Sequence, residues 1–482
     1  MNPTQTQSVS SSTVTAPSCF EFDVVPDVAA AFSRFSHLNG CLLLDSSAAT
    51  KTSAGKPLGR FSFLTAEPIE KLVFGPSQGR EGLQKIRSLL KRFQSSTLEG
   101  LPPFQGGIAG LLGYDLNRAF ENLPEPSNQS FQLPALVFGV YDWVIAWDHE
   151  QDRAWVISHG MASDEWPERG HYAEDRIEWV RCQLNSEPPR VCNPTIASDG
   201  LPNTHPVPGP AGLRSNFSKE DYLASVQQAI DYIHAGDVFQ INFAQQLFYQ
   251  ADCPATELYQ RLRERNPAPF AGYYDLGDAQ LVSASPERLI SVRHGKVETR
   301  PIKGTRKRMR YPEVDLHSKS QLKGSEKDRA ENTMIVDLMR NDLSRVCVDD
   351  SVRVTQLCEL ETYESVLHLV SAIEADLRPE CDAVDLIEAV FPGGSITGAP
   401  KIRAMEIITE LEKSSRGAYC GSLGYMSFDG SVDFNILIRT ITAKDGWWQI
   451  PVGGGIVSQS DPEKEYEETW TKAAGMLRAL TV

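Results

Sequence analysis

An acidic and a basic residue, Glu287 and Lys303, flank a predicted β-hairpin whose turn is His294-Gly295. A three-residue loop centred on Gly295 sets the two side chains across from each other, whereas a two-residue turn places them on opposite faces. On a shared face they form a general acid and a nucleophile. The simpler interpretation of this hairpin, taken by itself, is an ordinary cross-strand ion pair.

Two pairs of acidic residues recur at a spacing of three on predicted helices, Asp328 with Glu331 and Glu465 with Glu468. This spacing places the members of each pair on one helical face. Carboxylates from two helices, with open positions for water and substrate, suit Mg²⁺ better than zinc. The alternative for Glu465 and Glu468 is that acids are favourable in the first turns of any helix.

A run of glycines and one arginine are candidates for binding an anion. The run 453–455 is Gly-Gly-Gly and can form a backbone nest, although tight turns use the same residues. Arg439 lies inside an apolar run, predicted as a strand over 436–441, where a guanidinium requires an anionic partner such as a carboxylate. His368, between two leucines, is more often a satisfied core histidine than a catalyst.

Turn signals and apolar periodicity predict the elements that position these residues. The predicted parts are a disordered tail at 1–17, a strand-rich subdomain at 18–186, a Pro-rich connector at 187–215 and a larger domain at 216–482. Helices are predicted over 218–236, 255–265, 325–343, 400–413 and 462–480. Strands joined by hairpins, with few βαβ units, favour an α+β fold with antiparallel sheets.

Composition excludes several classes of protein. The 482 residues carry 47 Lys and Arg against 63 Asp and Glu, a net charge of -16, which argues against a protein that coats nucleic acid. No stretch approaches the ~18 apolar residues of a membrane span, so no membrane association is expected. Nine scattered cysteines without C-x-x-C spacing argue against disulfides and structural zinc, and predict a cytoplasmic location.

Several strings in the second half of the chain resemble the chorismate-utilising enzyme family, and they occur in that family's order. They include SPER at 285–288, PIKGT at 301–305, DRAEN at 328–332, HLVS at 368–371 and GGGIV at 453–457. The first half resembles the family more loosely, through 42–46, 59–63 and 106–115. The resemblance implies large antiparallel β-sheets packed as a sandwich with helices on the outside, as in anthranilate synthase component I.

The resemblance also implies a role for each candidate residue toward chorismate. Glu331 and Glu468 would hold Mg²⁺, supported by Asp328 and Glu465, and the metal would bind the ring carboxylate. The other implied substrate contacts are Gly454, Gly455 and Lys472 at the ring carboxylate, Arg439 and Tyr425 at the enolpyruvyl carboxylate, and Thr305 and His368 along the ring.

The implied chemistry is a transaminase-class amination of chorismate at ring carbon 4, which keeps the pyruvate and gives 4-amino-4-deoxychorismate for 4-aminobenzoate and folate synthesis. Glu287 is the candidate acid for the departing hydroxyl. Lys303 is the candidate nucleophile, which would attack carbon 2 and give an adduct that ammonia opens at carbon 4. For this Lys303 must be neutral, and Arg300, Arg306 and burial are expected to lower its pKa.

Two alternatives remain open. Anthranilate synthase component I has Ala at the position of Lys303 and lets ammonia attack carbon 2. The second alternative is a catalytically silent relative that binds an amino acid. Gln240 argues against the isochorismate and salicylate synthases, which carry a Lys there to activate water.

The resemblance implies two binding partners, a subunit that supplies ammonia and a bound tryptophan. Cys420 lies in a string that departs from the G-x-C-x-G elbow of amidotransferases, so a separate glutamine amidotransferase subunit is the expected ammonia source. The family's tryptophan pocket falls at 44–47 and 60–62, with Ser46 and Arg60 as its candidate residues.

Overall fold

A computed structural model describes residues 16–48, 50–51, 57–129, 131–161, 168–189, 201, 203–308, 312–362 and 366–481. The description does not extend to the side chains of residues 50, 51, 57, 305, 307, 312 and 366. Almost all of the predicted disordered tail and much of the Pro-rich connector lie outside the described residues.

The helices and strands of the described residues alternate along the whole chain. The α-helices are α1 Val28–Phe35, α2 Gly79–Arg92, α3 Asn117–Phe120, α4 Glu168–Leu184, α5 Lys219–His234, α6 Ala255–Arg265, α7 Pro312–Lys323, α8 Glu326–Ser344, α9 Ala383–Val390, α10 Lys401–Glu412 and α11 Pro462–Leu480. The strands are β1 Ser18–Glu21, β2 Leu42–Asp45, β3 Thr50–Lys51, β4 Pro57–Leu58, β5 Phe61–Thr65, β6 Glu70–Phe74, β7 Gly107–Leu112, β8 Leu136–Tyr141, β9 Trp143–Asp148, β10 Arg153–Ser158, β11 His205–Pro206, β12 Arg214–Ser215, β13 Gln240–Gln250, β14 Phe270–Asp275, β15 Ala279–Ser285, β16 Arg288–Arg293, β17 Lys296–Thr299, β18 Ile302–Lys307, β19 Arg353–Thr362, β20 Val366–Asp376, β21 Gly398–Ala399, β22 Ser422–Ser427, β23 Val432–Asn435, β24 Thr440–Lys444 and β25 Trp447–Ile456.

Caps and apolar stripes account for the helices that the sequence predicts. Ser218 accepts a hydrogen bond from the backbone N of Asp221 at 3.0 Å and starts α5. The helices predicted over 255–265, 325–343, 400–413 and 462–480 are confirmed as α6, α8, α10 and α11 to within two residues at either end.

The strands form two large antiparallel sheets and one small two-stranded sheet. In the first sheet the order is β1, β10, β9, β5, β2, β14, β15, β24, β25, β13, β12 and β11, with β21 beside β13. In the second the order is β18, β20, β17, β16, β23, β22, β7, β8 and β6, with β19 beside β20. The predicted α+β fold of antiparallel sheets is confirmed.

Apolar clusters show how the sheets and helices pack. Leu42 and Phe63 of the first sheet meet Leu111 and Leu423 of the second in one buried cluster, so the sheets face each other as a sandwich. On the outer faces, α1, α4, α6 and α11 cover the first sheet, and α2, α8 and α9 cover the second. Among the described helices, none is both long and apolar enough to cross a bilayer.

Both sheets combine strands from the two parts that the sequence divides at 187–215. Strand β2 pairs with β14, and β7 pairs with β22. The Pro-rich connector therefore does not separate two independent sheets.

The chain crosses from one sheet to the other at two neighbouring places. Strand β15 leads into β16 through Glu287, and β23 leads into β24 through residues 436–439. The two crossings are joined, because the backbone N of Ile436 donates to the Glu287 carbonyl at 2.9 Å and Ser285 Oγ donates to the Ile436 carbonyl at 2.6 Å. Glu287 and Arg439 are thereby held at one junction between the sheets.

Candidate active site

Of the two turns that the sequence left open for the hairpin around His294-Gly295, the structure has the two-residue turn. Arg293 pairs directly with Lys296, and both turn residues have positive φ, 50° and 74°, as this turn requires. This register alone would set Glu287 and Lys303 on opposite faces.

Ser395 connects the two residues by another route. Strand β18 leaves the hairpin and pairs with β20 instead of β16, which carries Lys303 toward the loop before α10. Lys303 Nζ donates to the carbonyl oxygen of Ser395 at 3.1 Å, and Ser395 Oγ donates to Glu287 Oε1 at 3.0 Å. The backbone N of Ile302 donates to the same Glu287 oxygen at 3.3 Å. The acid and the amine therefore share one site, although not as direct cross-strand neighbours.

Burial shifts the pKa values of this pair in opposite directions. Glu287 is only 4% exposed, and burial raises its pKa to about 6 against the opposing effects of Lys303 and its two hydrogen bonds. Burial lowers the pKa of Lys303, with Lys472 acting in the same direction and Glu331 and Glu287 opposing. Both residues are thus pushed toward their neutral forms.

The expectation that Arg300 and Arg306 lower the pKa of Lys303 is wrong. Arg300 is buried in a short ion pair with Glu361, and Arg306 Nη2 lies 3.7 Å from Asp328 Oδ2. Each arginine has its own acidic partner, and the cation that acts on Lys303 is Lys472.

Three acidic side chains from α8 and α11 converge beside this pair. A Cβ atom at Gly454 would lie 3.4 Å from Glu465 Oε2 and 3.5 Å from Glu468 Oε1. Lys327 Nζ lies 4.0 Å from Glu331 Oε1 and 3.6 Å from Glu465 Oε1. The two helices thus bring Glu331, Glu465 and Glu468 together, and sequence reasoning missed the lysine between them.

Charge repulsion inside this cluster favours a cation. Burial raises the pKa of Glu331, and Asp328 and Glu465 raise it further against Lys303 and Lys327. Only carboxylate oxygens are offered, and these are the donors that Mg²⁺ prefers. In the described part of the chain no group of three or more acidic, histidine or cysteine side chains is arranged to hold a metal ion.

The glycine run 453–455 forms neither the backbone nest nor the tight turn that the sequence left open. It lies inside the extended strand β25 and pairs with β13. The absence of a side chain at Gly455 leaves room for the Gln240 amide, because a Cβ atom there would lie 2.6 Å from Gln240 Nε2. Both polar atoms of the Gln240 amide are buried without a hydrogen-bond partner among the described residues.

Arg439 is not inside a strand. The strand predicted over 436–441 is interrupted, because the chain changes sheets between β23 and β24. The φ of Arg439 is 54°, and Nη1 donates to the carbonyl oxygen of Lys472 at 2.6 Å. Burial lowers the pKa of Arg439, while Tyr419 and Glu468 oppose this shift. The guanidinium therefore faces the same group of residues as Lys472.

His368 lies on β20 opposite Thr305 of β18. Burial lowers the pKa of His368 to about 4, with Arg439 acting in the same direction and a hydrogen bond with the Gly304 backbone opposing. The imidazole is therefore neutral and lies near the Arg439 guanidinium. The side chain of Thr305 lies outside the described part of the chain.

The prediction that Tyr425 shares a site with Arg439 is wrong. Its ring stacks on Phe104 at 4.5 Å between centroids and meets Phe63 edge-on at 5.6 Å, on the inner face of the second sheet. Tyr419 interacts with Arg439 instead. Tyr419 lies in the turn that precedes β22, whereas Tyr425 lies inside that strand.

Tyr425 lines a second cavity, of about 680 Å³, between the two sheets. Ser46 and Arg60 also line it, as the sequence predicts for one pocket. Arg60 Nε donates to Asp148 Oδ1 at 2.8 Å. Charged side chains of both signs surround the aromatic wall, including Arg288 and Asp433.

Known proteins resemble this chain over most of its length. The family described as chorismate binding enzyme matches residues 40–478. Aminodeoxychorismate synthase component 1 of Escherichia coli (strain K12) is 40% identical over 463 residues, which cover 93% of this chain and 95% of that relative. Anthranilate synthase component 1 of Thermus thermophilus is 40% identical over 380 residues, covering 79% and 78%. The crystal structure of anthranilate synthase component I from Streptococcus pneumoniae TIGR4 superimposes with a TM-score of 0.74 at 31% identity, covering 87% of this chain and 92% of that one.

Proposed function

Because the chain belongs to the chorismate binding enzyme family, we propose that it aminates chorismate at ring carbon 4 to give 4-amino-4-deoxychorismate, for the 4-aminobenzoate pathway. Relatives named aminodeoxychorismate synthase component 1 support this reaction, since two of them match 93% of the chain. Relatives named anthranilate synthase component 1 match it at similar identity, so overall identity does not separate the two reactions.

The single observation that carries the proposal is the placement of Lys303. Its amine is joined through Ser395 to the carboxyl of Glu287, and burial lowers its pKa. An amine so placed is a nucleophile beside an acid. Amination at carbon 2 by free ammonia, the alternative reaction, has no use for it.

The reaction balances with these two groups. The Lys303 amine attacks ring carbon 2, both double bonds of the ring diene shift by one bond toward carbon 4, and the bond from carbon 4 to its hydroxyl breaks. Glu287 gives its proton to that oxygen, which leaves as water. Ammonia then attacks carbon 4, both double bonds shift back, and Lys303 departs from carbon 2. The proton lost by the new ammonium returns to Glu287.

The substrate is a dianion, and the site supplies cations for its carboxylates. We assign Arg439 to the enolpyruvyl carboxylate, with Tyr419 beside it, and Lys472 to the ring carboxylate. Lys472 Nζ lies 2.7 Å from Glu468 Oε1 and 2.8 Å from the Gly453 carbonyl. It is therefore held at the glycine strand, where the absent side chains leave room for the ring.

Glu331 and Glu468 are the proposed ligands of Mg²⁺, with Glu465 beside them. When bound, the metal would polarise the ring carboxylate and its conjugated system. Asp328, which pairs with Arg306, would support the site from outside it.

The component 1 name of the relatives implies a partner subunit, and a glutamine amidotransferase that supplies ammonia is the proposed partner. Cys420 does not suit a glutaminase nucleophile, because it is 1% exposed and burial raises its pKa to about 12. The described cysteines are all free thiols, which is consistent with a reducing, cytoplasmic location.

Tryptophan is the proposed occupant of the cavity between the sheets. Phe63 and Tyr425 offer an aromatic wall, and the ion pair of Arg288 with Asp433, at 2.8 Å, offers polar groups beside it.

Product analysis tests the proposed reaction. We expect the purified chain to convert chorismate and ammonium, with Mg²⁺, to 4-amino-4-deoxychorismate, detected chromatographically. Glutamine in place of ammonium should give no product, because the partner is absent. Anthranilate as the main product would establish the alternative reaction, and no consumption of chorismate would favour a catalytically silent relative.

A further inference from the structure

We propose that Ser395 is a positioning residue that aims the acidic proton of Glu287 at the departing hydroxyl of the substrate. This inference rests on the proposed amination at carbon 4, in which Glu287 is the acid. It assigns a distinct task to the side chain of Ser395 and another to its backbone carbonyl.

The hydrogen bonds of Glu287 are all on one of its two oxygens. The Ser395 hydroxyl donates to Oε1 at 3.0 Å, and the Ile302 backbone N donates to the same atom at 3.3 Å. No described residue donates a hydrogen bond to Oε2. A carboxylic acid whose one oxygen accepts two donors carries its proton on the other oxygen. The proton of Glu287 is therefore on Oε2, which is free to meet a substrate.

Ser395 also keeps the amine apart from that proton. Its carbonyl oxygen accepts from Lys303 Nζ at 3.1 Å, so Lys303 is held by the backbone of the same residue whose side chain holds Glu287. This arrangement keeps the proton of the acid from being shared with the amine. Replacing the side chain of Ser395 removes only the hydrogen bond to Glu287 and leaves the carbonyl in place.

The position of Ser395 is fixed by its surroundings. It lies in a single 3₁₀ turn, Gly394–Ile396, and is 8% exposed. Arg416 Nη1 donates to the Ile396 carbonyl at 3.1 Å, and Thr397 Oγ1 donates to the Gly393 carbonyl at 3.1 Å. The hydroxyl is thus delivered to Glu287 by a braced turn.

The charged and titratable groups around Glu287 are few among the described residues. Lys303 on β18 lowers its pKa, and the thiol of Cys420, before β22, interacts with it. The hydrogen bond from Ser395 also lowers the pKa of Glu287. Loss of the hydroxyl should therefore raise that pKa, because the carboxylate loses a donor.

The test is the pH dependence of 4-amino-4-deoxychorismate formation by Ser395→Ala and Ser395→Thr, with wild type in the same series. Ser395→Ala should lower kcat about tenfold or more, with KM for chorismate changed less than about twofold. The acidic limb of the kcat/KM profile of Ser395→Ala should move to higher pH. Ser395→Thr keeps a hydroxyl, so its kcat and the pH of its acidic limb should both be close to those of wild type.

Thr409→Val is the control, since it removes a hydroxyl that donates to the Met405 carbonyl within α10 at 2.9 Å and does not contact the Ser395 turn, Glu287 or Lys303. Its acidic limb should stay where wild type has it. A Ser395→Ala profile that coincides with wild type, or a shift shared by Thr409→Val, would overturn the positioning role. If wild type itself makes anthranilate, the proposed amination fails, and that outcome is distinct from a failure of the Ser395 assignment.

Discussion

The pKa values of Lys303 and Glu287 are shifted in opposite directions by the same cause. Burial disfavours the charged form of each residue, so it lowers the pKa of Lys303 and raises that of Glu287. An ordinary ion pair would show the reverse shifts. The reactive form of the pair holds one proton, on Glu287, with Lys303 as a free amine. The pair titrates as a unit, so its pH profile reports how many protons it holds.

We expect kcat/KM to fall as the pH is lowered through about 6, because the pKa of Glu287 is raised to about 6. Below that pH the pair holds two protons, one on each residue, and Lys303 is then an ammonium that cannot attack the substrate. It should fall again at high pH, where the pair loses its last proton. Steady-state rates in overlapping buffers measure both limbs. Glu287→Gln should lower kcat by about 10²- to 10⁴-fold. A profile that stays flat down to pH 5 would contradict this assignment.

Glu468→Gln should weaken Mg²⁺ binding, because one ligand charge is lost. Calorimetric titration of the protein with Mg²⁺ measures this without any turnover. Glu467→Gln is a matched control, since Glu467 is the exposed neighbour on the same helix. Equal Mg²⁺ affinity in wild type and Glu468→Gln would remove Glu468 from the ligand set.

At the residue scale, motif order in the sequence indicated most of the site but not its contacts. Lys303, Glu287, Arg439, Lys472 and the acids of α8 and α11 do come together. Tyr425 was misassigned because side-chain direction along an apolar strand depends on which sheet face is buried. The role of Ser395 could not be read, since it depends on a loop that folds back from more than 90 residues away.

At the scale of elements, the site is built where strands change sheets. Glu287 and Arg439 lie on the two joined crossings, and neither is inside a regular strand. The sequence predicted the helices well because caps and apolar periodicity are local signals. It left the turn of the hairpin undecided and predicted an unbroken strand around Arg439, because register and sheet membership are set by long-range pairing.

The buried ion pair of Glu412 and Arg416 braces these elements. Arg416 donates to Glu412 Oε2 at 2.9 Å and to the carbonyl of Asn242 at 2.6 Å, in addition to Ile396. Glu412→Gln leaves a buried guanidinium without its counter-charge, so it should lower the free energy of unfolding by about 3 kcal/mol. Urea denaturation measures the loss.

The control for this ion pair is Glu463→Gln. Glu463 pairs with Lys219 at 2.8 Å, but their side chains are 56% and 46% exposed. An exposed pair contributes little, so the denaturation midpoint should not move. Equal midpoints for Glu412→Gln and wild type would show that the buried pair does not stabilise the junction.

At the scale of the whole molecule, the sandwich creates two sites of different character. The proposed catalytic residues lie where the chain crosses between the sheets, and the cavity lies between their inner faces. Glu287 and Arg288 are adjacent in the chain, yet the first belongs to the proposed catalytic site and the second lines the cavity. The sequence indicated the sandwich only through resemblance, because strand order in large sheets has no local signal.

Tryptophan should raise the thermal unfolding midpoint of the protein, because a ligand that binds only the folded state stabilises it by about 2.7 kcal/mol at 100 times its Kd. Differential scanning fluorimetry measures the shift, with alanine as the control ligand. Tyr425→Ala should show no shift of its midpoint with tryptophan, because the substitution removes part of the aromatic wall. A midpoint that tryptophan leaves unchanged at millimolar concentration would argue for a different occupant.

Covalent participation of Lys303 is tested most directly by the rate of 4-amino-4-deoxychorismate formation in Lys303→Ala at saturating ammonium. That rate should fall by at least about 10³-fold, with some anthranilate released instead, and Lys303→Arg, which keeps the charge but is no nucleophile, should fail as well. Thermal midpoints close to wild type would show that both variants fold. Formation of 4-amino-4-deoxychorismate at the wild-type rate by Lys303→Ala would contradict the nucleophilic role.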